Sequence, residues 1–322
     1  MSHPQRRPFL TFTVESFFAG QTLHNVLRTH FGMSRTLLGR LRREGRCEVD
    51  GAVAGLNTVL RPGVNVALYL SGHRDGGVSP EPMPLRVIFE DDHLLVVEKP
   101  AGVLVHPSGP VLSGTLANGV AHYLRSRGEG GAAGPVTRLD KDTSGLVLFA
   151  KHPHAHHRLM RAMQNGGLQR KYLAIVEGHL EASEGQIDAP IARIPGQLTR
   201  RCVSAGGQPA TTRFQVIGRW QGLPEIEHAT LVEVTLLTGR THQIRVHFAH
   251  IGHPIVGDVL YGRAIPGLCE RQALHAHWLH VHHPISGRPY TWVSSLPNDM
   301  QPLLHFASSG SAGRGRGLRA PS

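Results

Sequence analysis

The chain reads as an α+β protein whose main sheet is mixed and mainly antiparallel. Short apolar runs bounded by turn residues mark strands at Leu94 to Glu98, Leu146 to Ala150, Tyr172 to Val176, Arg213 to Ile217 and Leu231 to Leu236. Few segments keep helical spacing, and they do not alternate strictly with the strands, which argues against a doubly wound parallel sheet. The 322 residues, 40% hydrophobic and 18% charged, suffice for more than one core.

The first unit spans residues 11–70. Leu23, Val26, Leu27 and Phe31 follow helical spacing. Ser34 is placed to cap a second helix with Leu37, Leu38 and Leu41 on its apolar side. Arg35, Arg40, Arg42, Arg43 and Arg46 crowd the same segment. Glu48-Val49-Asp50-Gly51 is a strand entering an Asp-Gly turn, and Val64 to Leu70 is another strand. Residues 71–84 are rich in Gly and Pro and read as a flexible linker.

The second unit spans residues 85–300. It opens with a hairpin, Arg86 to Phe89 and Leu94 to Glu98 around Asp91-Asp92, and breaks at Lys99-Pro100-Ala101-Gly102. Leu116, Val120 and Leu124 mark one flanking helix, and Leu159, Met160 and Met163 another. Ser308 to Ser322 is rich in Ser, Gly and Arg and reads as a disordered basic tail with weak, non-specific attraction for RNA.

A net charge of +11, with clustered arginines, favours a polyanionic partner such as nucleic acid. Cys47, Cys202 and Cys269 are far apart and odd in number, which argues against a disulfide framework and fits a reducing cytoplasm. Met1 to Arg7 is polar with no apolar stretch after it, so no signal peptide is expected, and no run reaches membrane-spanning length. The 23 histidines gather at His152 to His157 and at His275 to His283. Neither group brings suitably placed cysteines or carboxylates, so the expectation is no metal and histidines facing solvent or RNA.

The most informative segment is Val136-Thr137-Arg138-Leu139-Asp140-Lys141-Asp142-Thr143-Ser144-Gly145, which runs into the apolar strand Leu146 to Ala150. A buried strand would hold this loop rigid, with Asp140 at its mouth beside a cation that keeps it ionised, as a carboxylate nucleophile requires. The bland alternative for a lone Asp is a turn or a cap.

The segment resembles the Arg-Leu-Asp-x-x-Thr-Ser-Gly signature of the RluA/RluD-type pseudouridine synthases. Lys171 to Gly178 is similar to the family's second motif, and Leu237-Thr238-Gly239-Arg240-Thr241-His242-Gln243-Ile244-Arg245-Val246-His247 to its third. Gly252 to Gly262, Leu274-His275-Ala276 and Gly207 to Thr212 extend the likeness, which covers about Thr11 to Pro297. The first unit resembles an α-L RNA-binding domain of the S-four type. In place of the His that often precedes Arg-Leu-Asp in the family stands Thr137.

The resemblance implies isomerisation of uridine to pseudouridine in structured RNA, with ribosomal RNA favoured over transfer RNA. Asp140 is then the catalytic residue, and Arg138 fills the space left by the displaced nucleotide. Tyr172 stacks on uracil, a contact worth about 1–3 kcal/mol, and its hydroxyl is able to move a proton. The helical spacing of Ile244, Phe248 and Ile251 starts a helix at Thr238-Gly239, which puts Arg240 in its first turn; the resemblance makes Arg240 the ion-pair partner of Asp140. Arg245 joins Arg35, Arg40, Arg42 and Arg43 as an RNA contact. The reaction involves neither redox change nor net hydrolysis, so no cofactor is expected, and a monomer is. Whether Asp140 attacks sugar or base, or assists elimination, stays open.

Two rival readings remain. One is a catalytically silent RNA-binding protein. The other is a glycoside hydrolase using Asp140 and Asp142, which needs two carboxylates about 5–9.5 Å apart across the scissile bond.

Overall fold

The computed structural model describes residues 8–70, 78–129, 133–197, 199–223 and 225–305. In the first unit, β1 (Leu10–Thr13), α1 (Leu23–Thr29), α2 (Arg35–Glu44), β2 (Gly45–Val49), β3 (Ala52–Ala54) and β4 (Asn65–Leu70) form a four-stranded sheet, ordered β1-β4-β2-β3, with two helices. Both helices start where a side chain satisfies a free backbone donor. Thr22 Oγ1 accepts from the Asn25 amide at 3.2 Å, and Ser34 Oγ from that of Leu37 at 3.1 Å. Leu23, Val26, Leu27, Leu37, Leu38 and Leu41 pack onto Leu10, Val66 and Leu68. Asp50 and Gly51 both have positive φ, 49° and 78°, as a tight hairpin turn between β2 and β3 demands. Arg35, Arg42, Arg43 and Arg46 stay exposed, while Arg40 lies along α2 with its Nε 3.5 Å from Glu44.

The second unit is built on β5 (Arg86–Glu90), β6 (Leu94–Lys99), α3 (Leu116–Ser126), β7 (Gly134–Pro135), β8 (Ser144–Ala150), α4 (Pro153–Gln164), β9 (Leu168–Glu177) and β10 (Glu184–Asp188). It continues through β11 (Ile191–Arg193), β12 (Arg201–Val203), β13 (Thr211–Leu223), β14 (Ile226–Leu236), α5 (Gln243–His250), β15 (Leu274–His282), β16 (Pro289–Val293) and α6 (Pro302–His305). Ten strands make one sheet, ordered β10-β13-β14-β9-β15-β8-β6-β5, with β16 on β15 and β7 on β8. Every pairing is antiparallel except that of β15 with β8. The α+β expectation therefore stands, with the helices flanking a largely antiparallel sheet.

The parallel junction is short and positions the site. His275 pairs with Ser144 and Ala276 with Gly145. Gly145 has φ 117°, and a Cβ there would overlap the backbone of Ala276. Only glycine lets the two strands close at this point. The registers then align Lys99, Gly145, Ala276, Tyr172 and Val234 in one row across β6, β8, β15, β9 and β14.

Two expectations are corrected here. The linker reading of residues 71–84 fails for its second half. Val78 and Met83 pack on the core beside α3, Asn118 Nδ2 donates to Ser79 O at 2.7 Å, and the Glu81 amide donates to Asn118 O at 3.1 Å. Residues 71–77 and the tail from Ser308 lie outside the described residues. The histidines also do not face solvent as a group: His152, His154, His275 and His283 are all buried. His275 bridges Ser144 and Ser294 at 2.9 and 3.0 Å, and His93 Nδ1 meets His152 Nε2 at 2.9 Å.

The two units touch. The Phe9 ring lies 5.4 Å from that of His152, and Ile285 packs against the core of the first unit.

Candidate active site

The loop that carries Asp140 is anchored at both ends and from below. At its start, the fully buried Thr137 accepts the Leu148 amide on Oγ1 at 3.0 Å. That bond accounts for a hydroxyl at this position, because it ties the loop to the middle of β8. Leu139 packs between the two apolar clusters on either side. At its end, the Thr143 amide returns to Asp140 O at 3.2 Å, and Arg271 Nη1 donates to Asp142 O at 3.1 Å. From below, Lys99 Nζ donates to Pro100 O, Val103 O and Lys141 O at 2.9, 2.6 and 2.7 Å. Lys99 is fully buried, and burial pushes its ammonium down from 10.5 to about 7, with Asp142 and Asp140 opposing and Arg271 assisting.

With the loop fixed, Asp140 Oδ2 lies 3.1 Å from Arg245 Nη1. Arg245 is itself buried and holds Asp258 with Nε to Oδ2 at 2.7 Å and Nη2 to Oδ1 at 2.8 Å. Asp258 Oδ1 also accepts the amides of Leu260 and Tyr261 at 3.0 and 3.2 Å. Burial works against the Arg245 cation, but Asp258 and Asp140 outweigh it and drive the guanidinium further up from its ordinary value. Below it lies the Tyr261 ring, 5.1 Å from Arg245 Cζ, a cation–π contact.

His242 closes the same side. Its Nδ1 is 2.9 Å from the Tyr261 hydroxyl and its Nε2 3.9 Å from Asp140 Oδ2. It caps α5 in the left-handed region, φ 58° and ψ 20°, a conformation costing a non-glycine residue about 1–3 kcal/mol. Burial lowers the imidazole below its ordinary value; Asp140 opposes this and Arg245 and Arg201 add to it.

Tyr172 completes the centre. It is 4% exposed, on the row that leads from Lys99 through Gly145. Among the described residues its hydroxyl makes no hydrogen bond. Burial raises the phenol, Arg170 opposes and the Asp140 charge adds, so Tyr172 keeps its proton at neutral pH.

The structure thus brings Asp140, Tyr172 and Arg245 together and does not bring Arg240. The helix begins at Gln243 instead of Thr238. Gln243 Oε1 accepts the Arg240 amide at 2.9 Å and the Thr238 hydroxyl at 2.8 Å, which holds residues 238–242 as a loop. Arg240 is exposed, with Nε on Pro209 O at 3.1 Å, and makes no ion pair with Asp140. Arg245 is correspondingly removed from the RNA-facing set, because its donors point at two carboxylates. Arg138 is exposed and unpaired among the described residues. Arg35, Arg40, Arg42 and Arg43 lie on α2 of the first unit.

Sequence reasoning passed over Lys99, Asp258 and Tyr261. The signal for the last two lay within Gly252 to Gly262, whose Asp and Tyr are spaced to face α5 after one tight turn.

The RNA pseudouridylate synthase family matches residues 93–250, a span that contains Asp140, Tyr172 and Arg245. The uncharacterized RNA pseudouridine synthase YhcT of Bacillus subtilis is 40% identical over 284 residues, 88% of this chain and 92% of its own length. The ribosomal large subunit pseudouridine synthase D of Escherichia coli is 36% identical, over 93% of this chain and 94% of its own. Among solved structures, human RNA pseudouridylate synthase domain containing 1 matches with a TM-score of 0.55 and 26% identity, covering 67% of this chain and 86% of its own. Fold and likeness together define an enzyme. The chain belongs to the RNA pseudouridine synthase family, of the RluA/RluD type.

Proposed function

We propose that this enzyme isomerises a specific uridine of large-subunit ribosomal RNA, with Asp140 as the nucleophile and without a cofactor. The observation that carries the reading is a carboxylate paired to a buried arginine beside a buried tyrosine. The reaction breaks the bond from ribose C1′ to N1, turns the base and forms the bond from C1′ to C5. The C5 proton leaves, N1 gains a proton, and the mass of the RNA is unchanged. A fixed carboxylate serves the first and last steps because Arg245 holds it aimed.

Tyr172 supplies a ring against which uracil stacks and a hydroxyl for proton movement. Arg138, exposed two residues from Asp140, occupies the stack that the uridine leaves. The arginines of α2, Arg35, Arg40, Arg42 and Arg43, bind phosphate, and Arg240 at the site's rim adds a further cation. The enzyme acts as a monomer in the cytoplasm. None of the helices among the described residues is long and apolar enough to cross a membrane.

The test is chemical mapping of pseudouridine across total RNA from cells with and without the gene, complemented by wild type or by Asp140→Asn. The expected result is one or a few ribosomal positions that disappear and return only with wild type. A site in transfer RNA would redirect the substrate, and restoration by Asp140→Asn would remove Asp140 from the chemistry.

A further inference from the structure

His242 carries no role in the reaction described so far, yet its surroundings are specific. It adopts a left-handed backbone where a helix cap is normally extended. The Tyr261 hydroxyl, its partner on Nδ1, also accepts the Arg201 amide at 2.9 Å. A phenol has one proton to give. The Arg201 amide takes one lone pair, and among the described residues the hydroxyl has no hydrogen-bond partner besides Arg201 and His242, so its proton is assigned to His242 Nδ1. Nδ1 is then the acceptor of the neutral ring, and Nε2 carries the hydrogen. Nε2 lies 3.9 Å from Asp140 Oδ2, the oxygen already held by Arg245. Asp140 Oδ1 has no hydrogen-bond partner among the described residues.

We propose that His242 is a positioning residue whose Nε2–H, its tautomer set by Tyr261, joins Arg245 on Oδ2 of Asp140 and leaves Oδ1 as the reacting oxygen. The proposal rests on Asp140 being the reacting carboxylate. The 3.9 Å separation is longer than a hydrogen bond. Catalytic hydrogen bonds commonly tighten when substrate enters, and a closure of about 1 Å suffices here. The lowered imidazole value agrees, since a neutral ring is what the tautomer argument needs. With two donors on one oxygen the carboxylate no longer rotates, and the unbound oxygen is presented to the uridine in a single orientation.

Two measurements on the full chain decide the matter. The first is nitrogen NMR of histidine-labelled protein without RNA, the His242 signal being the one lost in His242→Asn. Asn tolerates the left-handed backbone, so this variant keeps the fold. An Nε2–H tautomer that turns into a mixture in Tyr261→Phe is expected. An Nδ1–H tautomer in wild type overturns the proposal.

The second is single-turnover isomerisation of one RNA by wild type, His242→Asn, Tyr261→Phe and the double variant. Each single change is expected to lower the chemical step at least tenfold with little change in KM. The double variant is expected to be no slower than His242→Asn, because without the imidazole there is no tautomer to set. Multiplying losses, or losses confined to KM, overturn the proposal. A wild type inactive on ribosomal RNA would count against the isomerase reading, and the NMR result would still decide the role of His242.

Discussion

Asp258 grips Arg245 through two parallel hydrogen bonds, at 2.7 and 2.8 Å, on the side turned away from Asp140. The fork of the guanidinium is divided: two donors fix it to a fully buried carboxylate, and the third faces Asp140. A lysine carries all its donors on one atom and cannot offer a planar pair to one carboxylate and a separate nitrogen to another.

Arg245→Met should therefore damage both folding and catalysis. Asp258 would be left buried and unpaired, at a cost of about 3–5 kcal/mol. Arg240→Met, at an exposed position, should stay within about 0.5 kcal/mol of wild type. Urea denaturation of both proteins gives the comparison, and equal losses would mean that the buried pair does not hold this region.

Tyr172→Phe should leave RNA affinity and stability close to wild type, because the hydroxyl has no partner to lose and the ring remains. The chemical step should slow by about 10²–10⁴ if the hydroxyl moves a proton. Tyr172→Ala should impair affinity as well. Pre-steady-state rates with binding measured separately make the distinction; full activity of the Phe variant would reduce Tyr172 to a stacking surface.

Lys99 gives a pH signature. Its folded value, about 7, is below the ordinary 10.5, so between these limits the unfolded chain binds the additional proton. Stability then rises with pH across that window. Between pH 7 and 9 the gain from this group is about 2 kcal/mol. Lys99→Met should lack that gain and should lose activity by freeing the Lys141 carbonyl. Urea midpoints at the two pH values test this, and an identical pH dependence in the two proteins would show that Lys99 stays charged throughout.

Arg42→Gln with Arg43→Gln should weaken RNA binding by a similar factor for different sequences. It should lower the slope of log affinity against log salt by about one to two. An unchanged slope would mean that α2 does not face phosphate.

Local signals carried much of the architecture. Leu23, Val26 and Leu27 announced α1, Ser34 announced the start of α2, and the apolar run Leu146 to Ala150 announced β8. Asp140 and Tyr172 were legible because their motifs are contiguous. The choice between Arg240 and Arg245 was not. Thr238-Gly239 has the composition of a helix start, and what prevents it is the side chain of Gln243, whose Nε2 is itself held by Thr211 O and Thr212 Oγ1 at 3.0 Å. Lys99 read as the start of a chain break because the carbonyl it pins, that of Lys141, is 42 residues away. The buried histidines misled for the same reason: His93 and His152 meet across 59 residues.

The parallel junction of β8 and β15 also governs when the enzyme comes into being. Ser144 and His275, which meet there, are 131 residues apart in sequence. Contacts of such separation are slow to form, because the intervening chain must be restrained before they repay its entropy. The first unit closes over fewer than 70 residues and needs no such encounter. During synthesis every strand and helix of the first unit has been made by Leu70, whereas the contact that closes the parallel junction must wait for His275.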